Sequence, residues 1–204
     1  MQTVLSYYNP MQESHPLPPF APPHAKVLML GSFPPPPARW AINFYYPNFN
    51  NDMWRIMGLV FFSDKDYFID GKSFKEQLLK DFLNKQGIAV YDTAKTVIRK
   101  NNNASDKFLT IIQKSDIKGL LTTLPDCHHI ITTGEKATEI LLSNFNLKTP
   151  KVGQSVALIF NNKTVTLHRL PSSSRAYPLA LDKKAEYYRS AFNKMGLSCP
   201  KEIL

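Results

Sequence analysis

Two stretches of this chain carry side chains able to do chemistry on a flat, polar ligand. The first runs from Gly31-Ser32-Phe33 through four prolines, Pro34–Pro37, into an aromatic, amide-rich segment from Asn43 to Asn51. Tyr45, Tyr46 and Phe49 offer flat surfaces, while Asn43, Asn48, Asn50 and Asn51 offer paired donors and acceptors. Together they suit gripping a heterocycle by its face and its edge. The second stretch is Pro171-Ser172-Ser173-Ser174-Arg175-Ala-Tyr177. Three small hydroxyls followed by a guanidinium can meet phosphate oxygens with little steric bulk. Arg175 or Tyr177 could fill the gap left by a base drawn out of a stack. Each stretch alone also reads as a surface turn. The pairing of the two is what points to a site.

Both stretches follow strand patterns. Val27–Leu30 is an unbroken apolar run that stops at Gly31, as a strand buried on both faces does. Pro34–Pro37 cannot join a ladder or a helix, so a stiff extended arm is expected there. A helix pattern follows at Asp52–Gly58, with Asn51 as its N-cap and Asp52 at the positive end of its dipole. A strand end feeding an irregular loop and then a helix is where open α/β sheets place ligands.

Further along, Phe74, Leu78 and Phe82 have helical spacing, and Gly87 ends that helix. Ile88–Asp92 is a second buried strand ending in a carboxylate, which makes Asp92 a supporting candidate. Thr93–Leu109 reads as a polar, basic loop whose Lys95, Arg99, Lys100 and Asn101–Asn103 could meet a phosphate backbone. Ser115–Leu124 is helical, His129–Thr133 is a strand stopped by Gly134, and Glu135 starts the next helix. Ser155–Phe160 and Thr164–His168 flank a turn at Asn161-Asn162 as a hairpin. Asp182–Met195 closes the chain as a helix. This alternation predicts an α/β fold, a three-layer sandwich with a central, mostly parallel sheet. Residues 1–25, rich in proline, form an extended arm over one domain spanning residues 26–204.

Lys and Arg outnumber Asp and Glu by 25 to 16, a net charge of +9, which favours a polyanionic partner. The two cysteines, Cys127 and Cys199, form no CxxC pair, in keeping with a reduced, cytoplasmic setting. No run approaches the roughly 18 apolar residues of a membrane helix, and no secretory leader pattern opens the sequence. The five histidines make no HxH or HExxH pattern, so no metal site is expected. The absence of GxSxG, GxGxxG and GxxxxGK[ST] argues against a serine hydrolase and against a nucleotide cofactor.

The same residues carry a family resemblance. Gly31-Ser-Phe-Pro, followed by Phe44-Tyr-Tyr-Pro-Asn-Phe-Asn-Asn51-Asp-Met-Trp54-Arg, resembles the first motif of the uracil-DNA glycosylase superfamily. The likeness is to its hypoxanthine-DNA glycosylase branch, with a GSFPS-type strand end and FYYxHPxNRFW. Leu170-Pro-Ser-Ser-Ser-Arg-Ala-Tyr-Pro, followed by Asp182-Lys-Lys-Ala-Glu-Tyr-Tyr, resembles the MPSSSAR-type loop and DKxxYY helix of the mismatch-specific uracil/thymine-DNA glycosylases. Gly87-Ile-Ala-Val-Tyr-Asp92 and Gly134-Glu-Lys-Ala match further landmarks in the same order, so the likeness spans about residues 26–195.

The resemblance implies a base-excision repair enzyme that flips uracil or hypoxanthine from duplex DNA and hydrolyses its N-glycosidic bond. In that reading Tyr46 stacks on the base and Ser32 and Phe33 present backbone groups to it. Asn51 orients water or base, while Ser172, Ser173, Ser174, Arg175 and Tyr177 hold the DNA. The enzyme is expected to be a monomer, to need no cofactor, and to be monofunctional, since neither site loop carries a lysine for a Schiff base. Departures are plain. Phe33 replaces a water-positioning Asn, Asp52 stands where the family has Arg, and Asn48 where it has His. Leu170 replaces a base-polarising His, and His168, two positions earlier, lies too far back along the strand to substitute. The alternative is a superfamily member without catalysis that binds DNA or a nucleotide.

Overall fold

The computed structural model describes residues 11–100, 103, 105–143, 145, 147–160 and 162–197. In chain order the elements are β1 (Gln12–Ser14), β2 (Val27–Gly31), α1 (Met53–Phe62), β3 (Ile69–Asp70), β4 (Ser73–Phe74) and α2 (Glu76–Gln86). Then come β5 (Ile88–Asp92), β6 (Ala94–Arg99), β7 (Leu109–Lys114), α3 (Ile117–Thr122), β8 (His129–Thr133) and α4 (Glu135–Leu142). The antiparallel pair β9 (Ser155–Phe160) and β10 (Lys163–Leu170) and the helix α5 (Leu181–Lys194) complete the chain.

The central sheet has the order β5-β2-β8-β10-β9. Its first four strands run parallel and β9 closes one edge antiparallel. Alternate residues of β2 face opposite layers, as strand geometry requires. Val27 and Met29 join the core under α1, α2 and α5, with Trp54, Leu79 and Phe192. Leu28 and Leu30 join the core under α3 and α4, with Ile117, Leu121 and Leu141. The expected three-layer α/β/α sandwich is what the chain forms.

Several local expectations change. Thr93–Leu109 is not a loop. Its first half is β6, which pairs antiparallel with β7 on one side and with β1 on the other, so that β1-β6-β7 is a second sheet. Asn101 and Asn102 of that run, residues 1–10 of the arm, Cys199 and Asn161 of the hairpin turn lie outside the described residues. The rest of the arm contains β1 and an isolated bridge from Phe20 to Val90, and so packs along the domain. Pro34–Pro37 is not extended throughout, because Pro37–Arg39 forms a 3₁₀ turn closed by the Trp40 indole on the Pro35 carbonyl, 2.7 Å. Helix α1 begins one residue later than expected and runs on to Phe62. Among the described residues, no helix is long and apolar enough to cross a membrane.

Candidate functional site

The parallel strands bring Gly31, Asp92, Thr133 and Leu170 to one edge of the sheet. Gly31 pairs with Asp92 and Leu170 with Thr133. A Cβ at position 31 would collide with the Asp92 carboxylate and lie 3.6 Å from the Tyr46 hydroxyl oxygen. Glycine is therefore required here by close approach of the neighbours, and Tyr46 reaches over the strand ends.

Tyr46 has φ +49°, an unusual conformation for a bulky side chain that surrounding contacts must hold. Its hydroxyl lies 3.0 Å from Thr133 Oγ1. Thr133 Oγ1 itself donates to the Leu30 carbonyl, 3.4 Å, so the phenol is the donor to the threonine. The Tyr46 ring meets Trp54 edge-on at 5.8 Å. Burial, reinforced by the negative charge of Asp92, pushes the phenol pKa far up, which keeps this donor protonated.

One residue beyond Thr133, Gly134 has φ +117°, and a Cβ there would stand 3.4 Å from the Ser172 Cβ. The two candidate loops thus converge on adjacent residues of β8. They also join directly. Asn51 and Ser174 form an antiparallel bridge, and the Asp52 N–H donates to the Ser173 carbonyl at 2.9 Å. The Asp52 carboxylate accepts from Arg175 Nε at 2.9 Å and from Lys184 Nζ at 3.1 Å. Lys184 donates also to the Ser174 carbonyl, 2.8 Å, and Arg175 Nη1 reaches Asn50 Oδ1, 3.3 Å.

Asp52 therefore serves the second loop and not the helix dipole, and the two cations it meets arrive from elsewhere in the chain. Lys184 went unrecognised in the sequence, where it lies beside Lys183 as one more lysine of a polar helix. Arg55 is a second such residue: it donates to the Phe49 carbonyl at 2.9 Å and stacks over the Phe49 ring, pinning the aromatic loop.

Asp52, not Asn51, is the N-cap of α1, and Asn51 Oδ1 accepts from the Met53 N–H at 2.9 Å in a turn just ahead of the helix, which fixes the direction of its NH2. Ser172 Oγ accepts from the Ser174 N–H and Ser174 Oγ from the Ala176 N–H, each at 3.2 Å, which sets the serine loop as nested turns. Ser173 is buried, Tyr177 half-buried, and the Arg175 side chain 47% exposed. Of the serine loop, Arg175 is thus the group best placed to meet an outside ligand.

Phe33 turns inward. Its ring packs with Ala94, Val97, Leu109 and Ile140 and meets His15 edge-on at 5.4 Å, so only its backbone can face a ligand. The Ser32 carbonyl is taken by the Ala94 N–H at 3.0 Å. Asp92 is buried and accepts from His15 Nε2 at 2.9 Å, a residue that the arm delivers and that no motif announces. The segment between β6 and β7 carries Asp106, whose pKa is raised chiefly by burial. His168 points elsewhere, with Ser155 Oγ at 2.9 Å and His129 Nδ1 at 3.3 Å. Burial and His129 lower its pKa to about 4.

Two cavities lie outside this edge. One of about 160 Å³ is lined by residues that include Ser115, Lys118 and Phe145. The other, about 290 Å³, is lined by Lys26, Asp126, His128, His129 and Met195. Among the described residues no group of three or more His, Cys, Asp or Glu could hold a metal ion.

The sequence matches no protein-family model and no curated protein. Among solved structures, it is similar to the solution NMR structure of a candidate uracil DNA glycosylase from Methanosarcina acetivorans. The TM-score is 0.62 at 20% identity, covering 91% of this chain and 99% of that one. This likeness establishes a uracil-DNA-glycosylase-like fold.

Proposed function

We propose that this chain is a DNA glycosylase of base-excision repair, which flips a deaminated base, uracil or hypoxanthine, from duplex DNA and hydrolyses its N-glycosidic bond. One observation carries the reading: Tyr46 rests on Thr133 while Ser172 packs on Gly134, so an aromatic platform and a hydroxyl-rich loop flank the end of one strand. Extruding a base costs a few kcal/mol, which stacking and edge contacts inside a pocket offset. Tyr46 is the stacking surface. The Asn51 NH2, aimed by its bonded carbonyl, donates to a base carbonyl and stabilises the negative charge that leaves with the base. Arg175, with the N–H groups of the serine loop, holds the phosphates beside the flipped nucleotide. The net charge of +9 supports a polyanionic partner.

Hydrolysis proceeds without a cofactor and by water attack, not through a Schiff base. Lys184 is close by, but its amine is held between Asp52 and the Ser174 carbonyl. The enzyme works as a monomer in the cytoplasm.

The inward Phe33 ring favours a second reading, a domain that binds DNA without cleaving it, because the end of β2 offers no polar side chain at that position. Incision assays on duplexes carrying uracil, hypoxanthine or xanthine separate the two. Base release that is lost in Asn51→Ala supports the glycosylase. Salt-sensitive binding with no release from any duplex supports the binding module.

A further inference from the structure

We propose, resting on the glycosylase reading, that the proline-rich arm is a working part of the site and that His15 is its positioning residue, holding the Asp92 carboxylate so that Oδ1 faces the flipped base. The arm is fastened along its whole path from Gln12 to Phe20. Strand β1 pairs with β6, and the Glu13 carboxylate accepts from Arg99 Nε at 3.0 Å. The His15 N–H donates to the Lys95 carbonyl at 2.8 Å, and the Pro18 carbonyl accepts from the Tyr45 hydroxyl, also at 2.8 Å. Phe20 and Val90 exchange N–H···O bonds at 3.0 and 2.8 Å, which covers the edge of β5, the outermost strand of the central sheet.

This strap carries one side chain to the strand ends that bear the site. The His15 side chain is 2% exposed and lies among the rings of Phe33, Tyr91 and Tyr45, at centroid distances of 5.4, 5.2 and 6.1 Å. Both ring nitrogens are engaged. Nε2 donates to Asp92 Oδ2 at 2.9 Å, while Nδ1 lies 2.8 Å from the Leu17 carbonyl oxygen and 3.2 Å from the Leu17 nitrogen. The ring cannot turn without giving up contacts on both sides.

Asp92 is the group so fixed. Its register with Gly31 places it at the sheet edge. With Oδ2 tied to His15, Oδ1 is turned onto the glycine, at the point where a Cβ would stand and which the Tyr46 hydroxyl approaches to 3.6 Å. Oδ1 has no hydrogen bond among the described residues, and the side chain keeps 9% of its surface exposed. An ionised carboxylate accepts and never donates, so Oδ1 beneath Tyr46 suits an N–H group. Uracil and hypoxanthine both present a ring N–H beside a carbonyl. A buried carboxylate without a partner is costly and free to rotate away, and His15 removes both faults, as an outer hydrogen-bond partner does for a ligating group. The other anchors of the strap hold backbone, the Tyr45 hydroxyl or Arg99. His15 is the one whose partner borders the base.

The test is single-turnover release of uracil and hypoxanthine from duplexes, at a temperature where melting curves show every variant folded. Binding to an uncleavable abasic-analogue duplex, which offers no base to Asp92, is measured beside it. His15→Ala is expected to slow release about 10- to 100-fold with that binding unchanged. In an Asp92→Ala background the same substitution should slow release no further, since its effect runs through the carboxylate. His15→Gln, whose amide N–H can take the place of Nε2, should recover most of the rate. His15→Asn, too short to reach Asp92, should not. If His15→Ala releases base as the parent does, or slows it equally with and without Asp92, the arm only stabilises the fold and the glycosylase reading stands. Should His15→Ala fail to fold, the contrast between His15→Gln and His15→Asn decides, and equal rates for the two overturn the proposal. A parent protein that releases no base from any duplex overturns both readings together.

Discussion

Asp52 and Lys184 lie 132 positions apart and form an ion pair at 3.1 Å, with side chains only 9% and 1% exposed. Asp52 is the N-cap just before α1 and Lys184 sits in α5, so the pair ties together the two helices whose preceding loops make the site. A buried charge that loses its partner is expensive. Lys184→Met should destabilise the fold by up to about 3–5 kcal/mol, softened by Arg175, which still meets Asp52. A Lys184→Met, Asp52→Asn double variant should recover part of that loss. Urea unfolding midpoints of the four proteins give the coupling directly.

Gly31 is fixed by what surrounds it, since a side chain there meets the Asp92 carboxylate. Gly31→Ala should cost about 1–3 kcal/mol by overpacking. In an Asp92→Ala background the same substitution should cost much less, because the obstructing group is gone. Additive losses in thermal or urea unfolding would show that the close approach is not the reason for glycine.

The legible parts of this molecule are those whose signal is local. Val27–Leu30 reads as a buried strand because every residue in it is apolar, and Gly87 reads as a helix end because it must take a left-handed φ. The two loops were visible through their side-chain chemistry, and their meeting follows from both lying at strand ends of one parallel sheet. The strand β6 was hidden because Lys95 and Thr96 lie among its apolar residues, and it is a strand only through pairing with β1 and β7. His15 and Lys184 stand in ordinary polar surroundings along the chain. What makes each of them matter is a partner 77 or more positions away, and no local pattern encodes that.

Tyr46 should divide into two separable contributions. Tyr46→Phe keeps the ring and loses the donor to Thr133, for about 1 kcal/mol of stability and little change in base capture. Tyr46→Ala removes the stacking surface, worth about 1–3 kcal/mol per base, and should slow release of a flipped base roughly 5- to 150-fold. Single-turnover kinetics on one lesion duplex, beside melting curves, tells the two apart. Equal kinetic losses in both variants would place the role in the hydroxyl.

His168 should make the fold acid-sensitive. Its pKa is lowered to about 4, chiefly by burial, with His129 and Lys194 adding to the shift, and Ser155 Oγ bonds its ring. An unfolded histidine titrates near 6.5, so the unfolded chain binds this proton first as pH falls. Stability is whole above about pH 6.5 and declines toward pH 4. His168→Gln should flatten that decline in unfolding experiments across this range.

Arg175 offers the sharpest test of where DNA lies. Its side chain is 47% exposed and leans on Asp52, which keeps Lys184 as a second partner if the guanidinium is removed. Arg175→Ala should therefore leave the fold standing. If Arg175 meets one phosphate, the substitution weakens binding similarly for every duplex sequence and lowers the slope of log affinity against log salt by about one. Arg39, in the 3₁₀ turn with no buried residue, serves as the comparison, being a cation outside the proposed contact. Arg39→Ala should leave the slope unchanged. Equal slopes for the parent and Arg175→Ala would move the DNA track away from the serine loop, since a charge that releases no counterion does not touch the backbone.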